Sequence, residues 1–185
     1  MAGDEEGRPN ADHSTAMRVA LVVMPLASAV RPSLAAGLLK AGLARRGIPC
    51  DVKHFNLTLW KMLGNETYCF LADLISPTVL AGEWVFSKFL FESSGTSTSW
   101  ESYCAEVLDD PVSGVPRNKR GHINALADAA PAFLNLTLAS CDWSTYQVVG
   151  FTSMFDQTMA SLWLARAIKH RCPETKIVLG GPNFH

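Results

Sequence analysis

Apolar positions along the chain follow two alternating patterns, one typical of buried strands and the other of amphipathic helices. Apolar runs rich in β-branched residues predict strands at residues 18–24, 147–151 and 176–179. An alternating pattern predicts a more exposed strand at residues 48–56. Leucines recur at helical spacing after the first run, and a second helical pattern covers residues 157–171. Because the order strand, helix, strand occurs twice, we predict an α/β fold with a Rossmann-like parallel sheet.

The segment between the second and third predicted strands has a different pattern. Residues 57–146 amount to roughly ninety positions, too many for a connection without structure of its own. Amphipathic and aromatic stretches predict helices here, at about residues 65–75, 83–91, 100–108 and 123–138. Pro131 is expected to kink or split the last of them. We therefore predict a large helical insertion within an α/β domain of residues 17–185.

Composition and charge restrict the partners and the cellular location. The chain carries 16 basic and 17 acidic residues, so it lacks the basic surface that nucleic acids and anionic lipids require. The longest apolar run near the start, residues 19–30, is too short to span a bilayer. Five cysteines without a C-x-x-C pair indicate reduced thiols. We predict a cytoplasmic protein with no nucleic-acid or membrane partner, and a disordered polar leader at residues 1–16.

Small and polar residues follow three of the predicted strands. In open parallel sheets ligands bind beyond the carboxyl ends of the strands, so these residues are the predicted cofactor-binding set. They are Pro25, Ser28, Ser33, Thr152, Ser153, Met154, Gln157, Gly180, Gly181 and Pro182. Paired glycines let backbone amides approach a large flat or anionic ligand. A double glycine is equally well explained as a tight exit turn, and the residues alone leave both interpretations open.

Several kinds of site are excluded by missing motifs. The first strand is followed by neither G-x-G-x-x-G nor a P-loop sequence, which excludes the corresponding dinucleotide and nucleotide sites. The sequence shows no nucleophile with a base at motif spacing and no metal-ligand pattern among its histidines. Asp156, at a predicted helix start, is most simply a helix cap or a partner of the helix dipole. We therefore predict neither catalytic residues nor a set of metal ligands in this chain.

A specific resemblance is carried by residues 151–157, which read Phe-Thr-Ser-Met-Phe-Asp-Gln, and by the flanking residues 165–169 and 173–181. Together with Met24-Pro25, residues 31–34 and residues 82–86, they resemble the amino-terminal cobalamin-binding domain of radical SAM proteins. The resemblance is greatest to the C-methyltransferase-like group that matures ribosomally made peptides. It covers about residues 18–182.

The resemblance implies a Rossmann-like domain that binds cobalamin from one side. It also implies a partner radical SAM domain, which would hold a [4Fe-4S] cluster and S-adenosylmethionine and act on a ribosomally made precursor peptide. Ser153 and the pair Gly180-Gly181 match two of the cobalamin-binding elements, with Phe155 in place of a leucine. The element that supplies a cobalt-binding histidine, D-x-H-x-x-G after the first strand, is missing. The implied cobalamin would therefore lack a histidine ligand from this domain.

The C-x-x-x-C-x-x-C motif of the radical SAM core is not present in this sequence. We therefore expect a truncated product, a fragment or a split protein that lacks the catalytic domain.

An alternative is a non-catalytic docking module of the same fold that has lost cobalamin. The aromatic residues of the insertion would then hold a peptide or a partner protein: Trp60, Tyr68, Trp84, Phe86, Phe89, Phe91 and Trp100. The simpler interpretation is that these side chains form the core of the insertion. A flavin-binding domain is a third possibility, which rests on the fold alone.

Overall fold

A four-stranded parallel sheet forms the centre of the structure. The computed structural model describes residues 17–95 and 97–184, so the predicted leader at residues 1–16 lies outside the described residues. The strands are β1 (Val19–Val23), β2 (Cys50–His54), β3 (Val148–Thr152) and β4 (Lys176–Gly180). Their order in the sheet is β2-β1-β3-β4, with every neighbouring pair parallel. The predicted α/β class with a parallel sheet is confirmed, and the topology is compatible with a Rossmann-like fold.

Seven α-helices accompany the sheet within the described ranges. They are α1 (Leu34–Ala44), α2 (Phe55–Leu63), α3 (Asn65–Cys69), α4 (Ala81–Leu90), α5 (Trp100–Tyr103), α6 (Gly121–Ala139) and α7 (Thr158–Arg171). Two π-helical turns, Phe70–Leu74 and Cys104–Leu108, prolong α3 and α5. Since α2 to α6 all lie between β2 and β3, the chain between these strands is mainly helical.

The predicted end of the second strand was wrong, and so was one of the two outcomes predicted for Pro131, a split helix. The second strand ends at His54, because Phe55 and Asn56 form the first turn of α2 and bury their side chains. Pro131 does not split α6, which runs on to Ala139. A proline removes one helix hydrogen bond, and here the flanking Ala130 and Phe133 are fully buried, so core packing outweighs that loss.

One face of the sheet packs against the helices that follow β2 and β3. Ala20 and Val22 of β1 and Val149 and Phe151 of β3 are at most 2% exposed and belong to the main core cluster. Their partners include buried side chains of α4, α6 and α7. These four residues share one face of the sheet because side chains two positions apart on a strand point to the same side.

Helix α1 lies on the opposite face, as right-handed crossovers require, and covers β1 and β2. Only Ala36 of this helix is buried, whereas Leu34, Leu38 and Leu39 are more than half exposed. The leucines that predicted the helix therefore do not form its contact with the sheet. Val178 of β4, on the same face, is also 53% exposed. Among the described residues, no single helix combines the length and apolar character needed to cross a membrane.

Candidate functional site

A cavity of about 710 Å³ lies at the carboxyl ends of β1 and β3. Its walls come from the β1–α1 loop, the β2–α2 junction, the loop between β3 and α7, and the residues after β4. The chain leaves β1 for β2 on one side and later returns to β3 on the other. The cavity thus occupies the topological switch point of the sheet, where open α/β folds bind ligands. Its volume lies within the range of small-molecule sites.

Eight of the ten predicted cofactor-binding residues line this one cavity. They are Ser28, Ser33, Thr152, Ser153, Met154, Gln157, Gly181 and Pro182. Pro25, which is buried, and Gly180, the last residue of β4, are not part of the lining. The fold therefore brings together residues that are up to about 150 positions apart in the chain. They were selected by the strand-end rule, which states that ligands bind beyond the carboxyl ends of parallel strands.

Two of these residues hold the wall together through hydrogen bonds within the chain. Gln157 is 3% exposed; its Oε1 accepts from the amide of Met154 (2.9 Å) and its Nε2 donates to the carbonyl of Met24 (3.3 Å). Ser153 is fully buried, and its hydroxyl lies 3.4 Å from that of Thr158. The side-chain amide of Gln157 therefore joins the β3–α7 loop to the end of β1.

The glycine pair after β4 has a structural use. Gly181 has φ 112°, and a Cβ at this position would lie 2.1 Å from the carbonyl oxygen of Ser153. The two loops can touch only because this residue lacks a side chain. Asn183, which the sequence analysis missed, fastens the contact by donating to the hydroxyls of Thr158 (2.9 Å) and Ser153 (3.2 Å).

A buried tyrosine fixes the loop after β1. The hydroxyl of Tyr68 accepts from the amide of Leu26 (3.0 Å) and donates to the carbonyl of Ala27 (2.7 Å). Burial raises the pKa of Tyr68 well above its usual value, which keeps the hydroxyl neutral and able to donate. Leu26 has φ 67°, a strained conformation that this clamp helps to hold. Ser33 caps α1 by accepting from the amide of Ala36 (3.3 Å).

The polar residues of the cavity wall that were not among the predicted site residues include Arg31, His54, Asn56 and Asp73. His54 ends β2, so the strand-end rule would have found it had the predicted strand not continued to residue 56. Asp73 lies in the π-helical turn after α3 and forms an ion pair with Arg31 (3.5 Å). The expected lack of a histidine ligand to cobalt stays a prediction. It can be tested at His54, because this residue borders the cavity.

Asp156 is the buried acid of the cavity wall. It is 5% exposed, and burial is the main cause that raises its pKa to about 6. Its Oδ1 accepts from the amide of Gly82 (2.9 Å) at the start of α4. The predicted cap of the helix that follows Asp156 was therefore wrong, because its carboxylate accepts at the start of α4 and makes no capping bond to α7.

The aromatic side chains between β2 and β3 are mostly core. Tyr68, Trp84 and Phe86 are buried, and Trp84 stacks on Tyr103 with ring centroids 4.5 Å apart. Trp60, Phe89 and Trp100 are partly buried and pack against that core, and Phe91 is 44% exposed. The core interpretation of this set is confirmed for most of its members.

No group of three or more histidine, cysteine, aspartate or glutamate side chains is arranged to hold a metal ion within the described ranges. Comparison of the chain with protein-family models, curated proteins and solved structures gave no match.

Proposed function

We propose that this chain binds cobalamin in the cavity and serves as the cobalamin-binding domain of a radical SAM enzyme that methylates carbon in a ribosomally made peptide. In this proposal the segment between β2 and β3 is a large helical insertion in a cobalamin-binding fold. The observation that carries it is that eight residues selected as cofactor-binding line one cavity at the switch point of the sheet.

The residues of the cavity suit a large, mainly apolar ligand with polar groups at its rim. Leu26, Leu71 and Phe155 provide apolar wall. Asn56, which is 4% exposed, has a side-chain oxygen that accepts no hydrogen bond within the described residues. A corrin macrocycle, which is apolar with carboxamide groups around its edge, matches this combination.

The proposal gives this chain a binding role. Cobalamin, when bound, would supply the transferable methyl group, and a separate radical SAM domain would hold the [4Fe-4S] cluster, S-adenosylmethionine and the precursor peptide. The residues of this chain would hold the cofactor at the strand ends, with Gln157, Tyr68 and Gly181 keeping the three wall segments in place.

The test is retention of cobalamin by the 185-residue chain. We expect the protein to keep the corrin absorbance after incubation with hydroxocobalamin and desalting. Thr152→Phe, which fills the cavity wall, should abolish retention, whereas Leu136→Phe, on the exposed surface of α6, should not. Complete loss of the colour from the wild-type chain would contradict cobalamin binding. Incubation with FMN in the same assay tests the flavin alternative.

A further inference from the structure

Asn56 occupies the junction between β2 and α2, at the wall of the cavity. Its Nδ2 donates to the carbonyl of Ser28 (3.3 Å), which joins the β1–α1 loop to the start of α2. The carbonyl of Ser28 can only accept, so the amide nitrogen of Asn56 must face it. The orientation of the side chain is thereby fixed, and its oxygen is left for another partner.

That oxygen has no hydrogen-bond partner among the described residues, although Asn56 is only 4% exposed. Buried polar atoms in native proteins almost always have a partner, so each exception requires an explanation. The other such atom in the described ranges is the hydroxyl oxygen of Ser161 on α7, whose residue is not part of the cavity wall. Asn56 differs from Ser161 in that it belongs to the cavity wall, where a bound ligand would supply a partner.

The oxygen needs a donor, and the surroundings favour a neutral one. Asp73, the acid that the helical segment contributes to the wall, is already paired with Arg31, and the hydroxyl of Ser28 lies 3.5 Å from the same carboxylate. The remaining wall at this point is largely apolar, with Leu57 and Leu71 among the lining residues. A neutral N–H group is therefore a better partner than an ammonium group, whose charge would be poorly solvated here.

We propose that Asn56 Oδ1 accepts a hydrogen bond from a primary carboxamide of the ligand, which makes Asn56 a specificity-determining residue of the cavity. The inference rests on the proposed function, because corrins carry such carboxamides around the ring. A carboxylate in the same place could not donate and would face the Asn56 oxygen unfavourably. A site built to receive an N–H group rejects analogues that lack it, since its own acceptor is then left unpaired.

The experiment measures dissociation constants for cyanocobalamin and for its monocarboxylates, in each of which one ring carboxamide is replaced by a carboxylate. We expect one monocarboxylate to bind the wild-type chain at least about tenfold more weakly than cyanocobalamin. In Asn56→Leu, cyanocobalamin should bind about fivefold more weakly, and the difference between the two ligands should disappear.

Ser161→Ala is the matched control, because it removes the other unpartnered buried oxygen without touching the cavity. It should bind all the ligands as the wild-type chain does, and circular dichroism should show every variant folded. The inference is overturned if Asn56→Leu keeps the discrimination, or if the wild-type chain binds all the monocarboxylates as tightly as cyanocobalamin. Both results leave cobalamin binding intact, whereas a wild-type chain that binds no corrin overturns both proposals together.

Discussion

Asp156 and Glu83 cap each other's helices. The carboxylate of Asp156 accepts from the amides of Gly82 (2.9 Å) and Glu83 (3.4 Å), at the start of α4. The carboxylate of Glu83 in turn accepts from the amides of Thr158 (2.9 Å) and Met159 (2.7 Å), at the start of α7. Each acid also lies at the positive end of a helix dipole. This exchange holds the β3–α7 loop, and with it one wall of the cavity, against the helical segment.

Substitution of Asp156 by asparagine should change how stability depends on pH. Burial raises the folded-state pKa to about 6, above the value of 3.8 for the free side chain. Between these values the folded state keeps a proton that the unfolded state has lost, so stability falls as pH rises. An asparagine in this place would keep an oxygen acceptor and tolerate φ 62°. From pH 4.5 to 7.5 the wild-type chain should lose about 2 kcal/mol relative to Asp156→Asn.

Urea unfolding at the two pH values measures this difference. Asp142→Asn is the control, because Asp142 also accepts a backbone hydrogen bond but is exposed and has a lowered pKa. Parallel pH profiles for wild type and Asp156→Asn would contradict the assignment of the buried charge to Asp156.

Gly181→Ala should destabilise the protein far more than Gly180→Ala. A methyl group at Gly181 would overlap the carbonyl of Ser153, and φ 112° is unfavourable for any residue with a side chain. At Gly180 the same methyl group meets no atom within 4 Å. We expect a loss of about 2–4 kcal/mol for the first variant and less than about 1 kcal/mol for the second. Thermal unfolding followed by circular dichroism would reveal the contrast, and equal melting temperatures would contradict the close loop contact.

Tyr68→Phe should weaken both the fold and the cavity. Loss of the hydroxyl leaves the amide of Leu26 and the carbonyl of Ala27 without this partner, at a cost of about 1–3 kcal/mol. Tyr103→Phe is the comparison, because its hydroxyl donates to the carbonyl of Val79 away from the cavity lining. Both variants should unfold at lower denaturant concentration, but only Tyr68→Phe should also reduce cobalamin retention. Equal retention by the two would show that Tyr68 does not shape the site.

His54→Ala should leave the electronic state of a bound corrin unchanged. His54 is the residue at which to test the prediction that no histidine of this chain binds cobalt, because it is exposed and borders the cavity. Cob(II)inamide lacks the cofactor's own base, so resolved coupling to an axial nitrogen in its electron paramagnetic resonance spectrum would have to come from the protein. We expect none in the wild-type chain or the variant. Coupling that vanishes in His54→Ala would instead identify His54 as a cobalt ligand.

The sequence could predict the sheet because burial of a strand leaves a local pattern. In the run at residues 18–24 every residue after Arg18 is apolar, which indicates a parallel strand covered on both faces wherever it lies in the chain. The position of the cavity follows from the same pattern, since ligands in such sheets bind at the strand ends. Ser28, Thr152 and Met154 could therefore be assigned to one site before any contact between them was known.

The roles of individual residues depended on contacts that no local pattern records. Asp156 caps a helix that begins about 75 positions earlier in the chain, and the glycine at position 181 is required by the carbonyl of Ser153. Asn56 was assigned to the second predicted strand. The change from strand to helix at Phe55 was not predicted, because it depends on burial of Phe55 and Asn56 in the core. The leucines of α1 have helical spacing, yet Ala36 makes the buried contact.

By itself, then, the sequence determined the α/β class, the parallel strands and the edge of the sheet where a ligand would bind, since all three follow from periodicity along the chain. Only the tertiary structure decided which polar groups at that edge are engaged within the chain and which face the cavity. The physical reason is that hydrogen-bond partners such as Gln157 and Met24 are 133 positions apart, and packing of the whole domain brings them together.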